Sequence, residues 1–276
     1  MSQSDAPAFA VERHAHILQL LHERGRVRNT ELADLLGVTE PTIRKDIADL
    51  ARQQQLRRTH GGAIALRTAI EPDMPARMGR NIDAKSRIAH ACLALVKTGD
   101  AIFLDSGSTT LAIAEQLVPA AAAGSPANVN VLTNALAVAQ TLADKAGIRH
   151  TVLGGNYRPT GGCFVGPLTQ QDLNSFTVNL AFLGVTGVTD QGFTVADLSE
   201  AQVKRAAMDR ARRVVVVMDS TKVGATDFAT VCELDAVATI VTDESNDHLA
   251  ALCTAAGVEL IVAAADVIPT DQPRAR

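Results

Sequence analysis

The chain has no tryptophan and a single tyrosine, Tyr157, among its 276 residues. That excludes a sugar platform of stacked aromatic rings, so recognition of a small polar ligand has to rest on hydrogen bonds and charge. Cysteine is sparse as well: Cys92, Cys163, Cys232 and Cys253 stand far apart, with no Cys-x-x-Cys or Cys/His spacing. Neither a zinc site nor a disulfide framework is indicated, and no other metal or cofactor is implied; the four thiols read as small buried hydrophobes of a reducing compartment. Long apolar runs are missing, since no stretch approaches the roughly 20 residues of a membrane span. Met1–Ala10 lacks a basic segment followed by an apolar one, so residues 1–10 are expected to be a frayed tail of a cytoplasmic protein. Nucleotide signatures are absent too: Gly154-Gly155 lacks Gly-x-Gly-x-x-Gly spacing, there is no Walker lysine motif, and no Gly-x-Ser-x-Gly elbow occurs.

What the chain does have is 47% hydrophobic residues and enough length for two domains. Its charge is uneven. Residues 1–70 carry ten Lys and Arg against eight Asp and Glu, leaving sixteen against twenty-two for the remainder. A mildly basic head on an acidic body places any polyanion partner at the N-terminus.

In the head, Ile17, Leu20 and Leu21 recur at helical spacing between Val11 and Arg24, with Gly25 as a stop. Thr30 is placed to cap a second helix carrying Leu32, Leu35 and Leu36 and ending at Gly37; Thr39 is placed to cap a third, with Pro41 in its first turn. Three short helices at this spacing form a helix-turn-helix. At about 100° per residue, Ile43, Ile47 and Leu50 of the third helix share one arc. Arg44, Lys45, Ala48 and Arg52 lie opposite, with Asp46 and Asp49 on a flank. A helix with one packed and one cationic face suits a DNA major groove, although charge at helical spacing is also the mark of an ordinary solvated face. Leu56–Ile64 alternates apolar and polar residues around Gly61-Gly62, as a β-hairpin does, and presents Arg57, Arg58 and His60. A hairpin beside such a helix makes a winged helix-turn-helix over 11–66. Candidate DNA contacts are Thr39, Thr42, Arg44, Lys45, Arg52, Arg57, Arg58 and His60.

Residues 67–80 hold two prolines and no sustained period, which reads as a linker before a second domain over 81–276. Helices are expected at 83–97, 135–146 and 199–212, alternating with apolar strand-like runs; 119–127 reads as a surface insertion. This is the α/β pattern, a mostly parallel sheet between helices. Ligands of such sheets bind beyond the carboxyl ends of strands. There stand Asp105-Ser106-Gly107-Ser108-Thr109-Thr110, Thr133-Asn134, Gly154-Gly155 and Asp219–Lys222. The first of these joins a buried strand, 101–104, to a helix whose N-terminal amides attract anions. A phosphate cradle is expected, with Asp105 shaping the loop.

The order and spacing of Gly25-Arg26-Val27, Glu31-Leu32-Ala33, Thr42-Ile43-Arg44-Lys45-Asp46-Ile47 and His60-Gly61-Gly62-Ala63 resemble the DeoR-type family of bacterial transcriptional regulators. That family usually has Thr-Ile-Arg-Arg-Asp-Leu on the recognition helix; Lys45 and Ile47 depart from it, and Lys45 gives up the bidentate guanidinium geometry. The resemblance continues through Arg77, Lys85, Asp105–Thr110, Thr133-Asn134, Gly154-Gly155, Arg158, Gly166, Glu200, Lys204 and Asp219–Lys222, covering about residues 11–245. It implies a C-terminal domain similar in fold to ribose-5-phosphate isomerase, sensing a phosphorylated sugar or polyol. It also implies that Ser108, Thr109 and Thr110 hold the phosphate and that Glu200 and Lys222 lie near the ligand. Glu200 and Lys204, four residues apart, equally fit a helix-surface ion pair.

A sugar-phosphate isomerase or deaminase fused to a DNA reader is the rival reading. Its chemistry needs a second acid/base group beside Asp105, and nothing in the sequence forces one there. The expectation is therefore a regulator of a carbohydrate operon, a repressor rather than an enzyme. Its partners are double-stranded operator DNA, a phosphorylated effector and its own copies as a dimer or tetramer.

Overall fold

A computed structural model describes residues 10–24, 26–52, 55–59, 61–65 and 72–263. The chain divides into two units, 1–71 and 72–276.

In the first unit, α1 (Ala10–Arg24), β1 (Arg26–Arg28), α2 (Asn29–Leu36) and α3 (Glu40–Arg52) precede a hairpin of β2 (Leu56–Thr59) and β3 (Gly62–Ala65). The apolar stripes read from the sequence converge: Ile17, Leu21, Leu32, Leu36, Ile43, Ile47 and Leu50 are all buried with Val27, Leu56 and Ala63 in one core. Gly37 ends α2 in the left-handed conformation, φ 63°, with its N–H returned to Ala33 O. Two details differ from expectation. Thr30 does not cap α2, which starts one residue earlier and has no side-chain cap among the described residues; the Asn29 N–H instead donates to Gly61 O at 2.9 Å. The wing is also three-stranded, in the order β1-β3-β2. Gly62 makes that third pairing possible, because a Cβ there would lie 1.9 Å from Val27 O.

The second unit begins within the stretch expected as linker. α4 (Met74–Met78) is N-capped by Asp73, whose carboxylate accepts the Ala76 N–H, and Met74 is buried in the unit's core. Then come α5 (Ile82–Leu93), β4 (Ala101–Leu104), α6 (Ser108–Ala122), β5 (Val129–Thr133), α7 (Leu136–Leu142), β6 (Ile148–Val152), β7 (Asn156–Arg158), β8 (Cys163–Val165) and α8 (Pro167–Leu173). They are followed by β9 (Val178–Gly184), β10 (Gly187–Thr189), β11 (Gly192–Val195), α9 (Leu198–Met208), β12 (Ala211–Val217), β13 (Ala229–Cys232), β14 (Thr239–Thr242), α10 (Asp247–Ala256) and β15 (Glu259–Val262). α6 runs through Pro119 to Ala122, into the stretch read as an insertion, and buries Ala121. α5, α7 and α9 each stop short of their expected ends; Arg212 already belongs to β12.

Seven strands form one sheet in the order β15-β14-β12-β9-β4-β5-β6, and every adjacent pair is parallel. Successive residues alternate between two cores. Phe103, Ala181, Leu183, Val214 and Val216 face one side with α9 and α10; Ile102, Leu104, Leu180, Phe182, Val215 and Val217 face the other with α5, α6 and α7. Burial on both faces is why these strands read as continuous apolar runs. From β4 the chain winds one way through β5 and β6, then crosses to β9 and winds the other way. Such a reversal opens a crevice at the carboxyl ends, here between β4 and β9. Smaller sheets, β10-β11-β13 and the ribbon β7-β8, complete the unit.

Candidate recognition helix and effector site

Helix α3 turns Ile43, Ile47 and Leu50 inward and leaves Arg44, Lys45 and Arg52 exposed. Arg44 Nη2 donates to Glu40 Oε2 at 2.9 Å, one helical turn away, and Arg52 pairs with Asp49. That hydrogen bond from Arg52 holds the Asp49 carboxyl below its usual range. The Thr39 and Thr42 hydroxyls meet at 3.0 Å. Asp46 departs from the expected flank position. It is buried and accepts the Arg13 fork of α1, Nε at 2.9 Å and Nη2 at 3.1 Å, with His14 Nε2 at 3.2 Å. Asp46 in turn raises the Arg13 pKa. The recognition helix is thus keyed to α1 by a charged clamp as well as by its apolar stripe. Arg58 is exposed on β2; His60 and the side chain of Arg57 lie outside the described residues.

In the second unit, Asp105 and Gly184 end the strands on either side of the crevice, and the Gly184 N–H donates to Asp105 Oδ2 at 3.0 Å. The same oxygen pairs with Lys204 Nζ, reaching in from α9. Both side chains are sealed from solvent, at 1% and 2% exposure. Glu200, one turn earlier on α9, does not join Lys204 in a surface pair. It is buried, accepts Arg158 Nη1 at 2.9 Å and the Cys163 thiol at 3.6 Å, while Arg158 Nε lies 3.3 Å from Asp197. Asp197 itself caps α9 by accepting the Glu200 N–H at 3.1 Å. Gly161 belongs to this cluster by its lack of a side chain: a Cβ there would meet Glu200 Oε1 at 2.2 Å and Cys163 Sγ at 2.8 Å. Burial beside Glu200 pushes the Cys163 thiol up to about 12, so it is protonated and chemically quiet at neutral pH.

The Asp105–Thr110 turn divides its labour differently from the sequence expectation. Gly107 adopts φ 143°, which suits glycine, and starts a 15-residue helix with no side-chain cap. Among the described residues no side chain caps its first-turn amides. Thr110, expected to hold phosphate, has its hydroxyl turned inward between Asp105 O at 2.7 Å and Gly107 O at 2.9 Å. Thr133 is likewise occupied, donating to Leu104 O at 2.6 Å and accepting from Ala135 N at 3.0 Å. These two fix the loop, while Asp105 ties together β4, β9 and α9. Asn134 gives its amide N–H to Phe164 O at 2.9 Å, and its buried Oδ1 has no hydrogen-bond partner among the described residues. Gly154 O accepts the Thr169 hydroxyl at 2.7 Å, and a Cβ on Gly155 would lie 2.1 Å from that same hydroxyl oxygen. Lys222 lies 3.9 Å from Asp219. Cys163, Gly161 and Asp197 escaped the sequence reading. Only Asp197 carried a visible signal, the Asp-x-x-Glu of a helix start.

Among the described residues no group of three His, Cys, Asp or Glu side chains is placed to hold a metal ion, and no helix is long and apolar enough to cross a membrane. The class these two units define is a DNA-binding winged helix joined to an α/β sensor. Residues 13–69 match the DeoR-like helix-turn-helix domain and residues 80–244 the DeoR C terminal sensor domain. The HTH-type transcriptional repressor GlcR of Bacillus subtilis (strain 168) is 30% identical over 94% of this chain and 98% of its own. The glycerol-3-phosphate regulon repressor of Escherichia coli (strain K12) is 30% identical over 84% and 90%. The chain belongs to the DeoR family of transcriptional regulators. Those relatives are transcriptional repressors, not enzymes. Among solved structures, a ribose 5-phosphate isomerase A from Methanocaldococcus jannaschii aligns at TM-score 0.39 and 19% identity, over 52% of this chain and 55% of that one.

Proposed function

We propose that this regulator is a cytoplasmic repressor of a carbohydrate operon, released from operator DNA by a phosphorylated sugar or polyol. The observation that carries the effector half is the uncapped N-terminus of α6 at the crevice between β4 and β9. Its first-turn amides, with the hydroxyls of Ser108 and Thr109, are the phosphate donors. Asn134 Oδ1 and Glu200 supply acceptors for hydroxyl groups, with Asp105, Gly107, Gly154 and Gly155 shaping the approach and Arg158, Lys204 and Lys222 balancing charge. The relatives named after a repressor function and a glycerol-3-phosphate regulon support this reading.

On the DNA side, Arg44, Lys45, Arg52, Arg57, Arg58 and His60 contact phosphates and base edges, with Thr39 and Thr42 at the helix start. One helix and wing span few base pairs, so the working species is at least a dimer on repeated half-sites.

A thermal-shift screen of the full chain against glycerol 3-phosphate, glucose 6-phosphate, fructose 6-phosphate and their unphosphorylated counterparts tests the effector class. At about 100 times its dissociation constant a ligand stabilises by about 2.7 kcal/mol, a rise of about 5–11 °C for a unit of this size. A response to the phosphorylated members alone is expected, and it should vanish in Thr109→Glu by like-charge repulsion. Equal responses to the free sugars would overturn the phosphate reading.

A further inference from the structure

The stretch 72–80 leads the chain into the sensor unit from the DNA-binding unit, and its side chains reach the 159–162 turn beside the proposed effector site. Met74 is buried, and a Cβ on Gly162 would touch its side chain at 3.5 Å. Arg77 Nη2 donates to Thr160 O at 3.1 Å. Lys85, on α5, folds its ammonium back onto the C-terminal end of α4, donating to Arg77 O at 2.6 Å and to Arg80 O. The turn 159–162, which meets both Met74 and Arg77, is the turn whose Gly161 lies against Glu200, Cys163 and Arg158. Burial lowers the Lys85 pKa, while Asp219, at the head of the turn that follows β12, acts in the opposite direction. Lys85 thus stands between the end of α4 and a second loop at the carboxyl ends of the strands. An apolar side chain would fill its place without desolvating a charge; what the ammonium adds is a fixed link between two carbonyls.

We propose that Arg77 and Lys85 are positioning residues for the regulatory response: Arg77 fastens α4 to the 159–162 turn and Lys85 ties the end of α4 to α5, so that displacement of the Glu200–Arg158 cluster by effector is passed to α4 and along the chain to the DNA reader. This rests on the effector site described above. A ligand shifts an equilibrium only through its differential affinity for two arrangements, and packed elements pass on small shifts because they hop between discrete packings. Coupling between two sites is then expected to be lost when the fastening is cut, even though each site still binds its own partner.

The test uses the full chain, a fluorescent duplex selected by the protein from a random-sequence library, and whichever of glycerol 3-phosphate, glucose 6-phosphate and fructose 6-phosphate raises the wild-type melting temperature most. In the wild type, saturating sugar phosphate should weaken duplex binding by about 10-fold or more. Arg77→Ala and Lys85→Met should keep duplex affinity within about 3-fold of wild type and keep the thermal response to the sugar phosphate, while the effect of that ligand on duplex binding falls below about 3-fold. Arg77→Lys, which retains a donor for Thr160 O, should restore part of it. If Lys85→Met does not fold, the half-buried Arg77 carries the test alone. Undiminished coupling in Arg77→Ala with a normal thermal response would overturn the proposal. A wild type that binds the duplex but responds to no phosphorylated compound would instead remove the effector reading, and this inference with it.

Discussion

Replacing Lys204 with methionine tests how the crevice between β4 and β9 is held. The methionine keeps most of the volume of the lysine stem but removes the ammonium from Asp105, whose carboxylate is 1% exposed and would retain the Gly184 N–H. Breaking a buried pair by deleting one partner costs about 3–5 kcal/mol, because the remaining charge is neither solvated nor neutralised. At about 2–4 °C per kcal/mol for a unit of this size, the melting temperature should fall by about 6–20 °C. The double variant Lys204→Met, Asp105→Asn removes both charges and lets the amide oxygen accept the Gly184 N–H; it should recover most of the loss. Urea denaturation of the full chain, followed by circular dichroism, measures both. A single variant within about 1 kcal/mol of wild type, or a double variant no better than the single, would refute the account of Lys204 as the neutralising partner.

Gly161→Ala should destabilise the sensor by about 1–3 kcal/mol, since its methyl would have to displace Glu200 Oε1 from 2.2 Å; the thermal response to sugar phosphates should be lost while gel-shift affinity for DNA survives. Replacing Arg44 and Lys45 together with Ala should abolish the gel shift, and any residual binding should show a salt slope shallower by about one for each phosphate that is no longer neutralised. Asp46→Asn should lower the melting temperature by weakening the Arg13 fork, at about 1.5–3 kcal/mol for hydrogen bonds to a charged group, and should weaken DNA binding because α3 loses its clamp. Cys163 should resist thiol reagents in the native protein at pH 8 and react once unfolded. Because its folded pKa, about 12, lies above the ordinary value of 9.0, the unfolded chain holds fewer protons above about pH 9. Stability should therefore decline as pH rises past 9, seen as a falling urea midpoint.

The parallel sheet was legible because each buried strand is a short apolar run followed by small polar residues, and the recognition helix because its apolar and cationic arcs separate cleanly. Strand β1 was not, since three residues of Arg-Val-Arg carry too little period and its pairing depends on the missing Cβ of Gly62. Among the candidate ligands, the α/β pattern put Asp105, Thr110 and Thr133 at the carboxyl ends of strands and the family resemblance put Glu200 near the ligand, but neither could orient a side chain. Thr110 and Thr133 look like donors by residue type alone; only their rotamers show that both are occupied by main-chain groups. Asp105 and Lys204 are 99 positions apart, and periodicity within one helix suggested the nearer partner, Glu200. Helix α4 was hidden by its prolines, one of which sits at a first-turn position where its missing N–H is harmless.

If the loop after β4 holds the phosphate as proposed, the inward hydroxyls of Thr110 and Thr133 bear on how small an inducer can be. A loop whose rotors are already fixed surrenders little freedom when a ligand arrives, saving about 0.5–1.5 kcal/mol for each side chain that would otherwise be immobilised. A hexose phosphate offers about 16 non-hydrogen atoms, so micromolar binding, about −8.2 kcal/mol, asks about 0.5 kcal/mol of each. That is a moderately high ligand efficiency for so polar a molecule, reachable when the loop is rigid before contact. Under the proposed effector reading, discrimination among ligands would then fall to the groups facing the rest of the sugar, and the loop after β4 would be the common handle for the phosphate.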